Sequence, residues 1–134
     1  MLTDLRNFTT LSEILGARGI FNLCNKAFEA QTKAVMGEDG SLEHFWGDQF
    51  LSYWEARESK SSASDQALRA TFALIQAMEK LRHDLSPEIQ KYFGYGVALH
   101  AGTAMIGNIG SMQRMDYGLL GDLVNSAARV ESLT

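Results

Sequence analysis

Residues 114–131 read Arg-Met-Asp-Tyr-Gly-Leu-Leu-Gly-Asp-Leu-Val-Asn-Ser-Ala-Ala-Arg-Val-Glu. Arg114 to Leu120 read as a short strand. Gly121-Asp122 then leads into a helix, with Asp122 at the N-cap position. On that helix Asn125 and Arg129 stand at i and i+4 and project together. An amide beside a guanidinium suits a phosphate, because the guanidinium offers a planar fork to its oxygens. The plainer alternative is a surface arginine next to a polar asparagine, on a helix whose other face is Val124, Ala128 and Leu133.

Working back from this segment, residues 1–3 read as the end of a strand that runs into Asp4. Thr10-Leu11-Ser12-Glu13 has the form of a capping box and predicts a helix start. Leu11, Ile14, Phe21, Cys24, Phe28 and Val35 lay a 3.6-period stripe along that helix. Gly16 and Gly19 weaken it, and Gly37-Glu38-Asp39-Gly40 ends it. Two aromatic-rich β runs follow at 42–46 and 49–54, with Gly47-Asp48 as a two-residue hairpin turn. Residues 55–64 are polar and Ser-rich and read as a loop. Residues 65–83 predict a second helix, with Leu68, Phe72, Ile75, Met78 and Leu81 on one face, ended by Ser86-Pro87. Strands are expected over 93–100 and 103–109, joined at Ala101-Gly102. Gly107-Asn108-Ile109-Gly110 lacks the Lys-Ser/Thr of a phosphate loop and the third glycine of a dinucleotide turn, so it reads as strand and turn. The order β-α-β-β-α-β-β-β-α predicts an α+β sandwich formed by a single domain over 1–134.

Composition excludes several classes. At 134 residues, 46% hydrophobic and 21% charged, the chain is ordinary for a soluble domain. Its formal net charge of −4 and lack of a basic run argue against nucleic acid as a partner. Cys24 is the sole cysteine and has no Cys/His metal spacing around it, so it reads as a small buried hydrophobe in a reducing compartment. Asp4 and Arg6 interrupt the N-terminal segment, which does not read as a signal peptide, and no run reaches the length of a membrane span. The expected location is the cytoplasm, with no membrane segment within this chain.

The chemistry rests on acids from separate elements. Asp4 at a strand end and Asp48 at a hairpin tip converge if their strands are neighbours. Paired carboxylates of this kind hold hard divalent cations such as Mg²⁺. Taken singly, either aspartate is more commonly solvated or a helix cap. Asn7-Phe8-Thr9-Thr10 runs into a helix start, where unpaired backbone N–H groups attract an anion. The bland reading there is an ordinary capped helix.

Together these blocks resemble the catalytic domain of class III adenylyl/guanylyl cyclases. Thr3 through Glu13 is similar to the family's first metal block, Phe45-Trp46-Gly47-Asp48-Gln49-Phe50 to its second, and Arg114 through Glu131 to its transition-state block, with Gly107 to Ser111 just before it. The resemblance implies a two-layer, ferredoxin-like (palm-type) antiparallel sheet with helices packed on it. It implies that Asp4, Asp48 and the carbonyl of Leu5 hold two Mg²⁺ or Mn²⁺ ions. Phe8 and Thr9 would cradle phosphate, Asn125 would orient the ribose, and Arg129 would stabilise charge on the α-phosphate. A nucleoside triphosphate, ATP by inheritance, would become a 3′,5′-cyclic nucleotide and pyrophosphate in a homodimer with shared active sites. The base-reading positions depart from the family: His44 stands where a lysine is usual, and Gly118 where aspartate or threonine is usual. The resemblance further implies an incomplete domain, short at both ends. The runner-up reading is a catalytically impaired module for dimerisation or nucleotide sensing. Gly47-Asp48-Gln49-Phe50 also echoes the signature of diguanylate cyclases, but Trp46 and Gln49 break it, and that family has no use for the Asn125/Arg129 helix.

Overall fold

The computed structural model describes residues 1–56 and 62–133. The elements are β1 (Leu2–Arg6), α1 (Phe8–Met36), β2 (Ser41–Trp46), β3 (Gln49–Tyr53), α2 (Ala63–His83), α3 (Pro87–Gln90), β4 (Gly94–Ala98), β5 (Met105–Ser111), β6 (Arg114–Leu120) and α4 (Asp122–Glu131). One antiparallel sheet has the order β2-β3-β1-β4, and β5 pairs with β6 in a separate ribbon. The architecture is α+β, as expected. The predicted loop 55–64 falls partly on residues 57–61, which lie outside the described residues; α2 begins within its end, where Ser62 Oγ accepts the Asp65 N–H at 3.1 Å.

Alternation along β1 divides the interior. Met1 and Leu5 face α1 and α2 and share a core with Phe50, Leu74 and Met78. Leu2 and Leu51 face the other way and pack with Ala127 of α4. Thr3 is buried on the first side, where its hydroxyl donates to Gln31 Oε1 of α1, satisfying two buried polar groups together.

Three local expectations give way to tertiary packing. First, α1 starts at Phe8, ahead of the predicted capping box. Asn7 adopts φ 56°, turning the strand straight into the helix, and its Nδ2 donates to the Tyr92 carbonyl at 2.8 Å. Second, the predicted stripe on α1 holds only in part. Gly16 sits at φ 66°, ψ 174° and kinks the helix, which resets its phase. Beyond the kink Ile20, Leu23, Ala27 and Ala34 turn inward beside the expected Cys24 and Val35, while Phe21, like Ile14 ahead of the kink, is exposed. The stripe predicted on α2 also holds only in part, at Met78 and Leu81. Close packing on α1 selects the row with the small Ala70, together with Leu74, Met78 and Leu81, and leaves Leu68, Phe72 and Ile75 outside. Third, the strands expected at 93–100 and 103–109 form over Gly94–Ala98 and Met105–Ser111, in different sheets. β4 is bonded to β1 from Leu2↔Ala98 to Arg6↔Gly94, and β5 is bonded to β6. Ala101-Gly102 joins them as a crossing between sheets. It passes so near α4 that a Cβ on Gly102 would lie 2.9 Å from Leu123 Cδ1.

Phe50 is fully buried and its ring meets Phe45 at 5.2 Å and Phe28 at 6.5 Å. Phe50→Ala is expected to cost about 3–5 kcal/mol in urea unfolding. Tyr95 ties β4 to α2, its hydroxyl donating to Glu79 Oε1 at 3.1 Å. Burial first, then the bond to Glu79 and its charge, push the phenol from 10.0 up to about 12. The unfolded chain therefore loses this proton first. The stabilisation is complete below the ordinary value and is lost as pH rises through that window. Urea midpoints measured from pH ~9 to ~12 are expected to fall more steeply for the native protein than for Tyr95→Phe.

Candidate active site

The register of β1 against β3 decides what the acids can do. Asp4 pairs with Gln49, so Asp48 lies one residue beyond that pair at the mouth of the β2–β3 turn. The Leu5 N–H donates to the Asp48 carbonyl at 3.3 Å, which clips the turn to β1. Gly47 takes φ 61°, a conformation that a side chain would strain, and so allows the two-residue turn. The expected convergence of Asp4 and Asp48 is therefore what the fold builds.

Charge is concentrated here. The Asp48 carboxyl is held above its ordinary value chiefly by burial. Its own backbone N–H opposes that, and the charge of Asp4 adds to it. Asp4 has a donor near each oxygen: Gln49 Nε2 lies 2.9 Å from Oδ2, and Arg6 Nη1 lies 3.8 Å from Oδ1. Among the described residues no group of three or more His, Cys, Asp or Glu forms a ready-made metal cage. The pair still fits Mg²⁺ or Mn²⁺, because such ions commonly take one or two carboxylates and complete their shell with water and substrate phosphate. Two partly buried carboxylates side by side, with the charge of Asp4 helping to hold the Asp48 proton, are a natural cation seat.

Sequence reasoning missed the residues that hold this seat against α4. Arg6 Nη2 meets Glu131 Oε1 at 2.5 Å and donates to the Glu131 carbonyl at 2.9 Å. Glu131 is buried, and burial raises its carboxyl; Arg6 opposes that shift, while Asp4 and Asp48 add to it. A buried glutamate closing a helix otherwise rich in alanine was the available signal. α4 thus has two faces. Ala127 and Glu131 turn inward, and Asn125 and Arg129 turn outward and are exposed. The inward apolar positions are Val124 and Ala127, not Ala128 and Leu133. Gly121 caps the helix, so Asp122 occupies its first turn and not the N-cap.

The remaining site residues fall in two places. Phe8 and Thr9 open the first turn of α1, whose leading N–H groups have no partner within the helix. His44, Gly118 and Asn125 line a cleft of about 770 Å³ between the β2–β3 hairpin and β6. Neither Asp4 nor Asp48 lines it. One chain therefore presents an acidic pair and a separate polar cleft.

The sequence pattern described as the adenylate and guanylate cyclase catalytic domain matches residues 1–134. The chain belongs to that family. It is 30% identical over 137 residues to adenylate cyclase 1 of Rhizobium meliloti, covering 99% of this chain and 20% of that protein. It is 28% identical over 138 residues to an adenylate cyclase of Anabaena cylindrica, covering 100% of this chain and 26% of that one. The chain thus spans about a fifth to a quarter of these curated relatives. Among solved structures, a bacterial light-regulated adenylyl cyclase superposes with a TM-score of 0.88 at 31% identity, over 99% of this chain and 38% of that one. A guanylyl cyclase superposes at 0.81 and 29%, over 99% and 68%. The antiparallel cyclase fold implied by the sequence is the fold of the chain. Among the described residues no helix is long and apolar enough to cross a membrane.

Removing the acid that anchors α4 tests its structural part. Glu131→Gln is expected to cost about 1–3 kcal/mol in urea unfolding, since Arg6 loses a charged partner that is itself buried.

Proposed function

We propose that this domain converts ATP to 3′,5′-cyclic AMP and pyrophosphate, as one half of a homodimer in the cytoplasm. The observation that carries the proposal is the adjacency of Asp4 and Asp48 across the β1–β3 pair, with Asn125 and Arg129 displayed on the outer face of α4. Two divalent cations, held by Asp4, Asp48 and the Leu5 carbonyl, would supply a lowered pKa at the ribose 3′-hydroxyl and charge neutralisation along the triphosphate. The 3′-oxygen attacks the α-phosphorus in line and the bond to the β-phosphate oxygen breaks, releasing pyrophosphate. Asn125 orients the ribose. Arg129 places its fork where negative charge grows at the α-phosphate, and a preorganised charge is worth most there. The first-turn amides at Phe8 and Thr9 receive phosphate oxygens.

The division into an acidic half and a cleft supports shared sites. The acids of one chain would work with the α4 face of its twin. The β5–β6 ribbon leaves Met105, Met112, Met115, Tyr117 and Leu120 exposed, an apolar surface suited to a second copy. Some solved relatives are described in complex with GTP or as dimeric.

Incubation with each of the four nucleoside triphosphates and Mn²⁺ or Mg²⁺, followed by chromatography, is expected to give cyclic AMP from ATP, with Mn²⁺ the better ion. Asp48→Asn is expected to reduce product to background, and Arg129→Ala to lower turnover by about 10²–10³-fold. Mixing these two inactive variants is expected to restore about a quarter of native activity, because half of the random dimers hold one intact site. Binding of ATP without any cyclic product would instead support the sensing module. Activity in Asp48→Asn equal to native would remove that residue from the metal seat.

A further inference from the structure

Glu43 sits where β2 bulges. The register passes from Leu42↔Ser52 to His44↔Leu51, so residue 43 has no opposite number on β3 and its side chain is re-aimed toward β6. There Oε1 accepts the Leu119 N–H at 3.1 Å. The other oxygen, Oε2, is buried and has no hydrogen-bond partner among the described residues. A buried acceptor left unpaired is costly, which makes it a mark of a missing donor. The position of the carboxylate depends on Gly118. A Cβ there would lie 2.7 Å from Oε1, so any side chain at 118 would push Glu43 away.

The surroundings indicate what donor is missing. Glu43 lines the 770 Å³ cleft together with His44, Trp46, Tyr117 and Asn125. His44 and Trp46 stand ring to ring at 4.6 Å, and Tyr117 is exposed nearby. Flat aromatic walls with one acceptor set among them match a heteroaromatic base that carries an amino group. One carboxylate oxygen is already engaged by the backbone. A guanine edge offers two adjacent N–H donors and calls for both oxygens, whereas adenine offers a single amino group.

We propose that Glu43 is the base-reading residue of this chain, its Oε2 accepting a hydrogen bond from the 6-amino group of adenine. The proposal rests on the nucleotide reading above and adds the residue that selects the base.

The test compares ATP with purine riboside 5′-triphosphate, which lacks the amino group, and GTP with inosine triphosphate, which lacks the 2-amino group. Binding is measured by calorimetry and turnover by chromatography. Native protein is expected to favour ATP over purine riboside triphosphate by about 10- to 100-fold in both readouts. Glu43→Gln keeps one oxygen, which cannot serve the Leu119 N–H and the base together, and is expected to bring that ratio near one. Gly118→Ala is expected to do the same by displacing an intact carboxylate. Both variants are checked for native circular dichroism and unfolding midpoint, and Glu43→Ala serves if either fails to fold. An unchanged ATP preference in a folded Glu43→Gln or Gly118→Ala protein overturns the proposal. So does equal loss of both nucleotides, which would make Glu43 only a strand anchor. Discrimination confined to the GTP pair overturns the adenine assignment. Absence of cyclic product from native protein would sink the catalytic reading alone, because the binding ratio reads the base contact independently.

Discussion

The pairing of β1 with β3 on one side and β4 on the other is the constraint on which the rest depends. Five residues of β1 do several jobs at once. The odd positions bury themselves against α1 and α2, and Leu2 packs against α4 on the opposite face. The same alternation puts Asp4 and Arg6 on the α4 side. A slip of one residue would exchange these sets, burying two charges in an apolar core and moving Leu5 into the acidic site. Register is therefore enforced by the hydrophobic core, and the position of the acids follows from it.

Electrostatics near β1 are lopsided. The charge of Asp4 acts on Asp48, those of Asp4 and Asp48 act on Glu131, and Arg6 lies against Asp4 and Glu131. Carboxylates gathered in partial burial repel unless something positive sits among them. Arg6 supplies part of that compensation from within the chain. Its contact with Glu131 is shorter than its contact with Asp4, which in the proposed metal site would leave the face of Asp4 toward Asp48 open to a small cation. Gln49 adds a neutral donor that steadies Asp4 without adding charge.

Much of this was legible in the residues. The turn at Gly47-Asp48, the break at Pro87 and the strand-to-helix switch at Gly121 are local chemistry, and local chemistry survives folding. The α+β class followed from the order of elements. The stripes on α1 and α2 were less legible, because the positive-φ glycine at 16 kinks α1 and because α2 carries two apolar rows of similar strength. Choosing between those rows needs the shape of the neighbouring helix. The partner of β4 was hidden for a related reason, since pairing across ninety residues leaves no local trace. In the candidate site, the convergence of Asp4 and Asp48 was readable from spacing and turn type. Arg6, Glu131 and Glu43 were not, because each acquires its meaning from a contact with a distant element. Gly118, which looked like the loss of a side chain, turns out to make room for one.

Helix α4 serves two clients. Its inner side is bolted to the strand that bears the acids, and its outer side carries the amide and guanidinium that the proposed dimer would offer to a neighbour. A rigid helix cannot shift on one side alone. In a paired assembly, whatever steadies one acidic seat also steadies the groups lent to the opposite seat, and thermodynamic linkage demands that the influence be equal in return. In the proposed dimer, two catalytic centres joined in this manner would communicate through about ten residues of helix rather than through a separate regulatory device.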